Sequence, residues 1–256
     1  MKNLLKIILS VFVISVTMIS CDSDDSSAEG TSGMSVRLVD APGDYDNVYI
    51  DVVGVEAIVD GEIVLLETNA GIYDLLTLTG GEFVDLVNED IPSGDLSQVR
   101  LVLGTENSIV LDSGEAVSLQ TPSAQQSGLK LNVNYDLLPG VLYEFIMDFK
   151  VDESIVAQGN GGYLLKPVIR ITTSAESGSI AGSVEPFDTE TKVTATNDVS
   201  GEEISAYTDD AGEFLLYGVP EGTYTVLVDS ESGLTSTIDD VTVEVGVTTS
   251  LDLIVL

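Results

Sequence analysis

Short β-branched runs separated by turn residues fill the chain from residue 48 onward, and this pattern restricts the fold more than any other feature. Residues 48–59 alternate in part between apolar and polar positions, and Asp60-Gly61 follows directly before the apolar residues 63–66. An Asp-Gly pair suits the type I′ turn of a β-hairpin. No segment carries a sustained apolar stripe at helical spacing, so the pattern predicts an all-β protein in which helix is a minor component, with short helical turns near residues 80–89. Further predicted strands lie at 97–103, 108–111, 116–120, 129–134, 141–150 and 163–172.

A small, polar stretch at residues 172–178 follows a long predicted strand and marks a domain boundary. About seven more short strands are predicted after it. Strands at this spacing, without intervening helices, are typical of sandwiches and barrels. We therefore predict two β-sandwich or barrel-type domains in tandem, at residues 34–174 and 178–256.

Residues 1–20 have the layout of a signal peptide. Lys2 and Lys6 form a short basic region, and the apolar stretch after them is too short for a membrane span of about 20 residues. The stretch ends in Met-Ile-Ser at 18–20 and then Cys21, the only Cys in the sequence. This ending resembles a bacterial lipobox, in which cleavage before the Cys leaves it to carry diacylglycerol. The resemblance predicts lipid attachment at Cys21; the alternative is an ordinary secretory signal with a coincidental Cys.

Residues 21–33 are small, polar and acidic, which predicts a flexible tether between the lipid and the folded body. The acidic run at 22–25 resembles the export signal by which some gram-negative bacteria place lipoproteins on the cell surface. We therefore predict an outer-membrane lipoprotein exposed at the cell surface, with the membrane as a partner through Cys21. A plain solvated spacer is the alternative interpretation of the run.

Three stretches of the first domain carry a family resemblance: VRLVDAPGDYD at 36–46, TPSAQQSGLKL at 121–131 and YLLKPVIR at 163–170. Together they resemble an uncharacterised domain-of-unknown-function family of bacterial lipoproteins, often followed by a regulatory-like sandwich. The resemblance implies a location and a domain order, and it brings no established activity.

The second domain resembles the carboxypeptidase regulatory-like domain, through GSV at 182–184, YTDDAGEFLL at 207–216 and GVPEGTYTV at 218–226. The resemblance implies a transthyretin-like, seven-stranded sandwich related to starch-binding folds. Within it, Gly212 is expected to permit a turn, and Phe214, Leu216, Tyr224 and Val226 are expected in the core. Some relatives bind carbohydrate and many are spacers, so the fold alone does not choose between these roles.

The ionic composition excludes several functions. Nine Lys and Arg against 43 Asp and Glu give a formal net charge of −34, which argues against nucleic acid as a partner. The sequence has no His, which rules out a Ser-His-Asp triad and imidazole acid–base chemistry. Lipidation of Cys21 would leave no thiol nucleophile. We therefore expect that the protein is not an enzyme.

Asp40, Asp44 and Asp46 bracket a Pro-Gly turn and are the candidate ligands for calcium, the one cofactor that the sequence suggests. Calcium prefers several oxygen ligands, although this spacing does not match an EF-hand and Asp is common in turns. The acidic residues within 209–213 raise the same question, but the family resemblance explains them as a turn.

A polar loop before the predicted strand at 129–134 supplies a candidate ligand site. Gln125, Gln126 and Lys130 carry amide and ammonium groups that hydrogen-bond sugar hydroxyls or carboxylates, and Tyr45 adds an aromatic surface. A solvated loop, or Gln side chains that bond buried backbone, is the alternative.

Two functions from different classes fit these features. The favoured one is a lipid-anchored envelope protein that binds carbohydrate or polysaccharide, although the absence of Trp weakens it. The alternative is a structural spacer or adhesion subunit that joins other envelope proteins and has no small-molecule site.

Overall fold

Two β-sandwiches follow one another along the chain, as the strand spacing predicts. The computed structural model describes residues 30–41, 45–78, 80–121, 128–159, 161–187 and 191–256, without the side chains of 40 and 41. Strands up to Thr173 pair with first-domain strands, and strands from Ser177 onward pair with one another. The prediction of an all-β chain with two domains is confirmed.

The first domain consists of strands, one 3₁₀ turn (Leu75–Thr77) and one single-turn helix, α1 (Val151–Ser154). Its strands are β1 (Thr31–Ala41), β2 (Asn47–Val59), β3 (Glu62–Leu65), β4 (Gly71–Asp74), β5 (Val84–Pro92), β6 (Gly94–Leu103), β7 (Ser108–Val110), β8 (Ala116–Gln120), β9 (Leu129–Leu137), β10 (Leu142–Lys150), β11 (Ile155–Ala157), β12 (Tyr163–Leu165) and β13 (Ile169–Thr173).

These strands form two sheets with the core between them. The first sheet has the order β13-β10-β1-β5, in which β1 runs parallel to β10 and antiparallel to β5. The second has the order β11-β12-β8-β7-β2-β6-β9, and the long strand β2 also pairs with β3 and β4. Leu38 and Phe145 from the first sheet and Ile50 and Leu101 from the second are fully buried.

The hairpin predicted at Asp60-Gly61 is present between β2 and β3. Both residues have positive φ, 50° and 80°, as a type I′ turn requires. The Asp60 carboxylate also accepts a hydrogen bond from the backbone N–H of Asp95, at 3.0 Å, which fixes the turn against β6.

Two other expectations from the sequence are wrong. The predicted tether 21–33 ends too late, because β1 begins at Thr31 and pairs from that residue with Pro92 of β5. The expected helical turns near 80–89 are absent from the described part of this segment, which forms β5 from Val84 onward. In both cases pairing with a strand distant in the sequence decides the conformation. Local sequence patterns do not reveal such pairing.

The second domain packs two further sheets around a separate core. The strands are β14 (Ser177–Glu185), β15 (Lys192–Asn197), β16 (Glu203–Tyr207), β17 (Glu213–Pro220), β18 (Gly222–Asp229), β19 (Thr235–Val243), β20 (Thr248–Ser250) and β21 (Ile254–Val255). The two sheets have the orders β17-β14-β20, with β21 also on β14, and β16-β15-β18-β19. Gly212 has φ of 76°, and all four expected core residues are at most 2% exposed, so both expectations are confirmed.

Candidate functional site

Arg170 on β13 joins the two domains. Its Nε and Nη2 donate to Oδ2 of Asp148 on β10, at 3.1 and 2.9 Å. Its Nη1 also donates to the carbonyl oxygen of Gly218, and Nη2 donates to that of Tyr217 at 3.2 Å, both on β17. One guanidinium therefore connects a carboxylate of the first domain to two backbone carbonyls of the second.

Asp148 is a buried acid with one charged hydrogen-bond partner. The residue is 3% exposed, and within the described part of the chain its Oδ1 has no hydrogen-bond partner. Burial raises the pKa of Asp148 above its usual value, while the charge and hydrogen bonds of Arg170 act in the opposite direction. The ionised form of this carboxyl therefore depends on Arg170.

Close backbone approach completes the contact between the domains. A Cβ atom on Gly218 would lie 2.6 Å from Cγ2 of Thr172, and one on Gly81 would lie 2.8 Å from Cδ2 of Leu215. At the edge of the contact, Lys192 Nζ lies 3.0 Å from Oδ2 of Asp152. Packing, an ion pair and the Arg170 hydrogen bonds together hold the two sandwiches in one arrangement.

A cavity of about 160 Å³, which we call the junction pocket, opens between the domains beside this contact. Phe83 of the first domain and Tyr217 of the second meet edge to face there, with ring centroids 6.1 Å apart. Burial raises the pKa of Tyr217, so its hydroxyl is neutral at pH 7. Hydroxyl and backbone groups supply the polar lining, from Ser174, Ser177, Gly178, Ser179, Gly246 and Thr248.

Arg37 forms the charged wall of the junction pocket. Its guanidinium lies over the Phe83 ring, 4.6 Å from the centroid, and it also pairs with Asp85 at 3.2 Å and Glu144 at 3.4 Å. Two carboxylates thus neutralise one guanidinium. The pocket consequently favours a neutral polar ligand over an anion, because an anion would meet net negative charge.

The predicted calcium residues are only partly described. Asp46 is exposed, and the backbone N–H of this residue donates to the carbonyl oxygen of Val110. Tyr45 is half-buried and packs against the first core, while the Asp40 side chain and Asp44 lie outside the described residues. Among the described residues there is no group of three acidic, His or Cys side chains that could hold a metal. Calcium binding stays a prediction.

Added salt tests the calcium prediction directly. A chain with formal net charge of −34 repels itself, so NaCl is expected to raise its melting temperature by screening. Millimolar CaCl₂ at the same ionic strength should give an equal rise if it only screens, measured by calorimetry on the same sample. A larger rise with CaCl₂ that disappears in Asp44→Ala would instead identify a specific site.

The other candidate ligand residues are described only in part. Lys130 lies exposed on β9 opposite Arg100, while Gln125, Gln126 and Cys21 lie outside the described residues.

At 209–213, Asp209 Oδ1 accepts hydrogen bonds from the backbone N–H groups of Ala211 and Glu213, at 2.8 and 2.9 Å. That carboxylate stabilises a turn, as the family resemblance implies.

Comparison with known families agrees with this architecture. Residues 31–167 match the family described as Domain of unknown function (DUF4382). The chain belongs to the DUF4382 family. Residues 189–256 match the Carboxypeptidase regulatory-like domain, so the two domain resemblances are confirmed in the predicted order. A comparison with curated proteins gives no significant match.

Solved structures with similarity to this DUF4382 protein include three bacterial chains. The Bacillus anthracis TIE protein is 9% identical, with a TM-score of 0.23 over 89% of this chain and 34% of its own. A putative adhesin from Bacteroides ovatus is 11% identical, with a TM-score of 0.23 and coverages of 89% and 93%. A fimbrial protein from the same species is 12% identical, with a TM-score of 0.24 and coverages of 89% and 50%. The chain thus spans about a third of the TIE protein, and TM-scores of this size do not establish a shared fold.

Membrane-spanning helices are a separate question. Within the described residues, no helix combines the length and the apolar character needed to cross a bilayer.

Proposed function

We propose that this DUF4382 protein is a lipid-anchored protein of the bacterial outer membrane, exposed at the cell surface, that binds carbohydrate in the junction pocket. The observation that carries the proposal is the pocket itself, in which Phe83, Tyr217 and a neutralised Arg37 meet between two domains. Cys21 anchors the chain through its lipid, and the strongly negative net charge argues against nucleic acid as a partner.

The chemistry of the junction pocket suits a sugar. Aromatic rings pack against the C–H faces of sugars, and protein hydroxyl and backbone groups form hydrogen bonds with the sugar hydroxyls. Ser177 Oγ donates to the carbonyl oxygen of Thr173 and retains its capacity to accept. A cavity of about 160 Å³ is smaller than the roughly 300–1,000 Å³ of drug-sized sites, so it fits one sugar unit at a chain end or branch.

A polysaccharide binding panel tests the proposal. The mature chain with Cys21→Ser, which removes the lipid, is expected to bind a neutral glycan, and Phe83→Ala or Tyr217→Ala should weaken that binding about tenfold. Phe187→Ala is the matched control, since Phe187 is 41% exposed and lies outside the junction pocket. Titration calorimetry measures the dissociation constants.

Two results would contradict this assignment. Loss of binding in Gln126→Ala or Asp44→Ala, with Phe83→Ala unaffected, would move the site to the loops chosen from the sequence. A panel without binding would remove the carbohydrate function altogether.

A structural spacer or adhesion subunit is the second candidate function. The contact through Arg170 favours it, because partly buried hydrogen bonds hold the two domains together and keep the second domain in a fixed position relative to the first. This function predicts a stable complex with other envelope proteins and no glycan binding. Neither candidate assigns catalysis to the protein.

A further inference from the structure

An exposed apolar turn between β9 and β10 lies where the described chain begins. Leu138, Val141 and Leu142 are 52%, 41% and 58% exposed, and Pro139 and Gly140 between them are exposed as well. We call residues 138–142 the apolar turn. It contains no charged residue.

The apolar turn is bound to the first residues of the folded body. Ser32 Oγ donates to the carbonyl oxygen of Leu138 at 2.9 Å. The N–H of Gly140 donates to the carbonyl oxygen of Thr31 at 2.8 Å, and the N–H of Gly33 donates to that of Val141 at 2.9 Å. The point at which the chain enters the first sandwich therefore lies beside these exposed aliphatic side chains.

Backbone hydrogen bonding makes the apolar turn suited to a lipid surface. Its Leu138 N–H donates to Tyr143 Oη, and its Val141 N–H closes the turn onto the Leu138 carbonyl. Pro139 has no N–H, and Gly140 has φ of 76°, as the third position of a type II turn requires. Residues 138–141 therefore hold no unbonded N–H group, which lowers the cost of bringing this backbone to a bilayer.

We infer that the apolar turn contacts the bilayer that holds the anchor, so that the protein meets the membrane at this end of its first domain. The inference rests on the proposed lipid attachment at Cys21. Only residues 22–29 separate Cys21 from Gly30, which limits the distance between them to about 30 Å at full extension. The partner is a bilayer of low surface charge, because Asp90 lines the groove beside the turn and Asp136 is exposed near it.

A single tryptophan tests this contact, since the sequence has no Trp of its own. The mature lipidated protein is reconstituted in phosphatidylcholine vesicles as Leu138→Trp and, as control, as Val199→Trp. Val199 is 95% exposed in a turn of the second domain. We expect Leu138→Trp to emit at shorter wavelength and to be quenched by brominated lipids about twofold more than Val199→Trp.

The outcomes separate this contact from the anchor. Flotation with the vesicles and the acyl mass on Cys21 report the anchor. Flotation with equal quenching at both positions would overturn the contact and leave the anchor intact, whereas loss of flotation would overturn both. A blue shift of Leu138→Trp that grows with protein concentration in the lipid-free Cys21→Ser chain would assign the turn to a second copy and overturn the membrane contact.

Discussion

Replacing Arg170 with alanine is expected to lower the free energy of unfolding by about 3–5 kcal/mol at neutral pH, the cost of leaving a buried charge without its partner. Asp148 would lose the two hydrogen bonds that support its ionised carboxylate, and the carbonyls of Tyr217 and Gly218 would lose their donor. Urea unfolding followed by circular dichroism measures the loss. Calorimetry should also resolve two transitions in Arg170→Ala if the loss separates the domains.

The pH dependence of this loss has a definite sign. Burial raises the folded-state pKa of Asp148 above the usual 3.8, and Arg170→Ala removes the opposing influence, so the pKa rises further in the variant. A carboxyl with a raised folded pKa binds its proton more tightly in the folded state than in the unfolded state. The stability deficit of Arg170→Ala should therefore shrink as the pH falls from 7 through the raised pKa toward 3.8.

Arg100→Ala is the matched control for this prediction. Arg100 pairs with Glu56 at 3.5 Å, and both side chains retain access to solvent, at 20% and 24% exposed. Its loss is expected to cost about 1 kcal/mol or less. If Arg170→Ala costs no more than Arg100→Ala, the buried pair does not hold the domains together. A double variant, Arg170→Ala with Asp148→Leu, should regain most of the loss because no buried charge remains.

The sequence predicted correctly those elements whose conformation is set by a few neighbouring residues. The Asp60-Gly61 turn is one such element, because two adjacent residues supply both positive φ angles. Residues 163–172 were predicted as one strand, but the structure divides them into β12 and β13, with Pro167 in the gap. Pro lacks the N–H that a continuous ladder needs.

The junction pocket and the domain contact could not be predicted, because their members are far apart in the sequence. Phe83 meets Tyr217 across the domain boundary, and Asp148 and Arg170 pair through the register of β10 and β13. The sequence identifies Arg37 and Arg170 as basic residues of the first domain, without their partners. A Gly within a strand often marks a close backbone approach, so Gly218 was a local signal that the sequence interpretation did not use.

Replacing Gly218 with alanine is expected to cost about 2–4 kcal/mol of unfolding free energy. Gly218 has φ of 61°, a region in which a Cβ atom adds about 1 kcal/mol, and its added Cβ would overlap Cγ2 of Thr172 at 2.6 Å. Gly233→Ala isolates the backbone cost, because Gly233 has φ of 82° and no heavy atom within 4 Å of the Cβ position. Urea unfolding of the two variants, under identical conditions, gives the difference.

Thr172→Ser distinguishes contact between the domains from strain within β17, because serine lacks the methyl group that Gly218→Ala would strike. In the double variant Gly218→Ala/Thr172→Ser, we expect stability to return to within about 1 kcal/mol of Thr172→Ser alone, since only the cost of positive φ remains. Additive losses in the double variant, or equal losses in Gly218→Ala and Gly233→Ala, would mean that the domains do not approach at this point. Recovery would place the methyl of Thr172 against Gly218, and with it the second domain against β13 of the first.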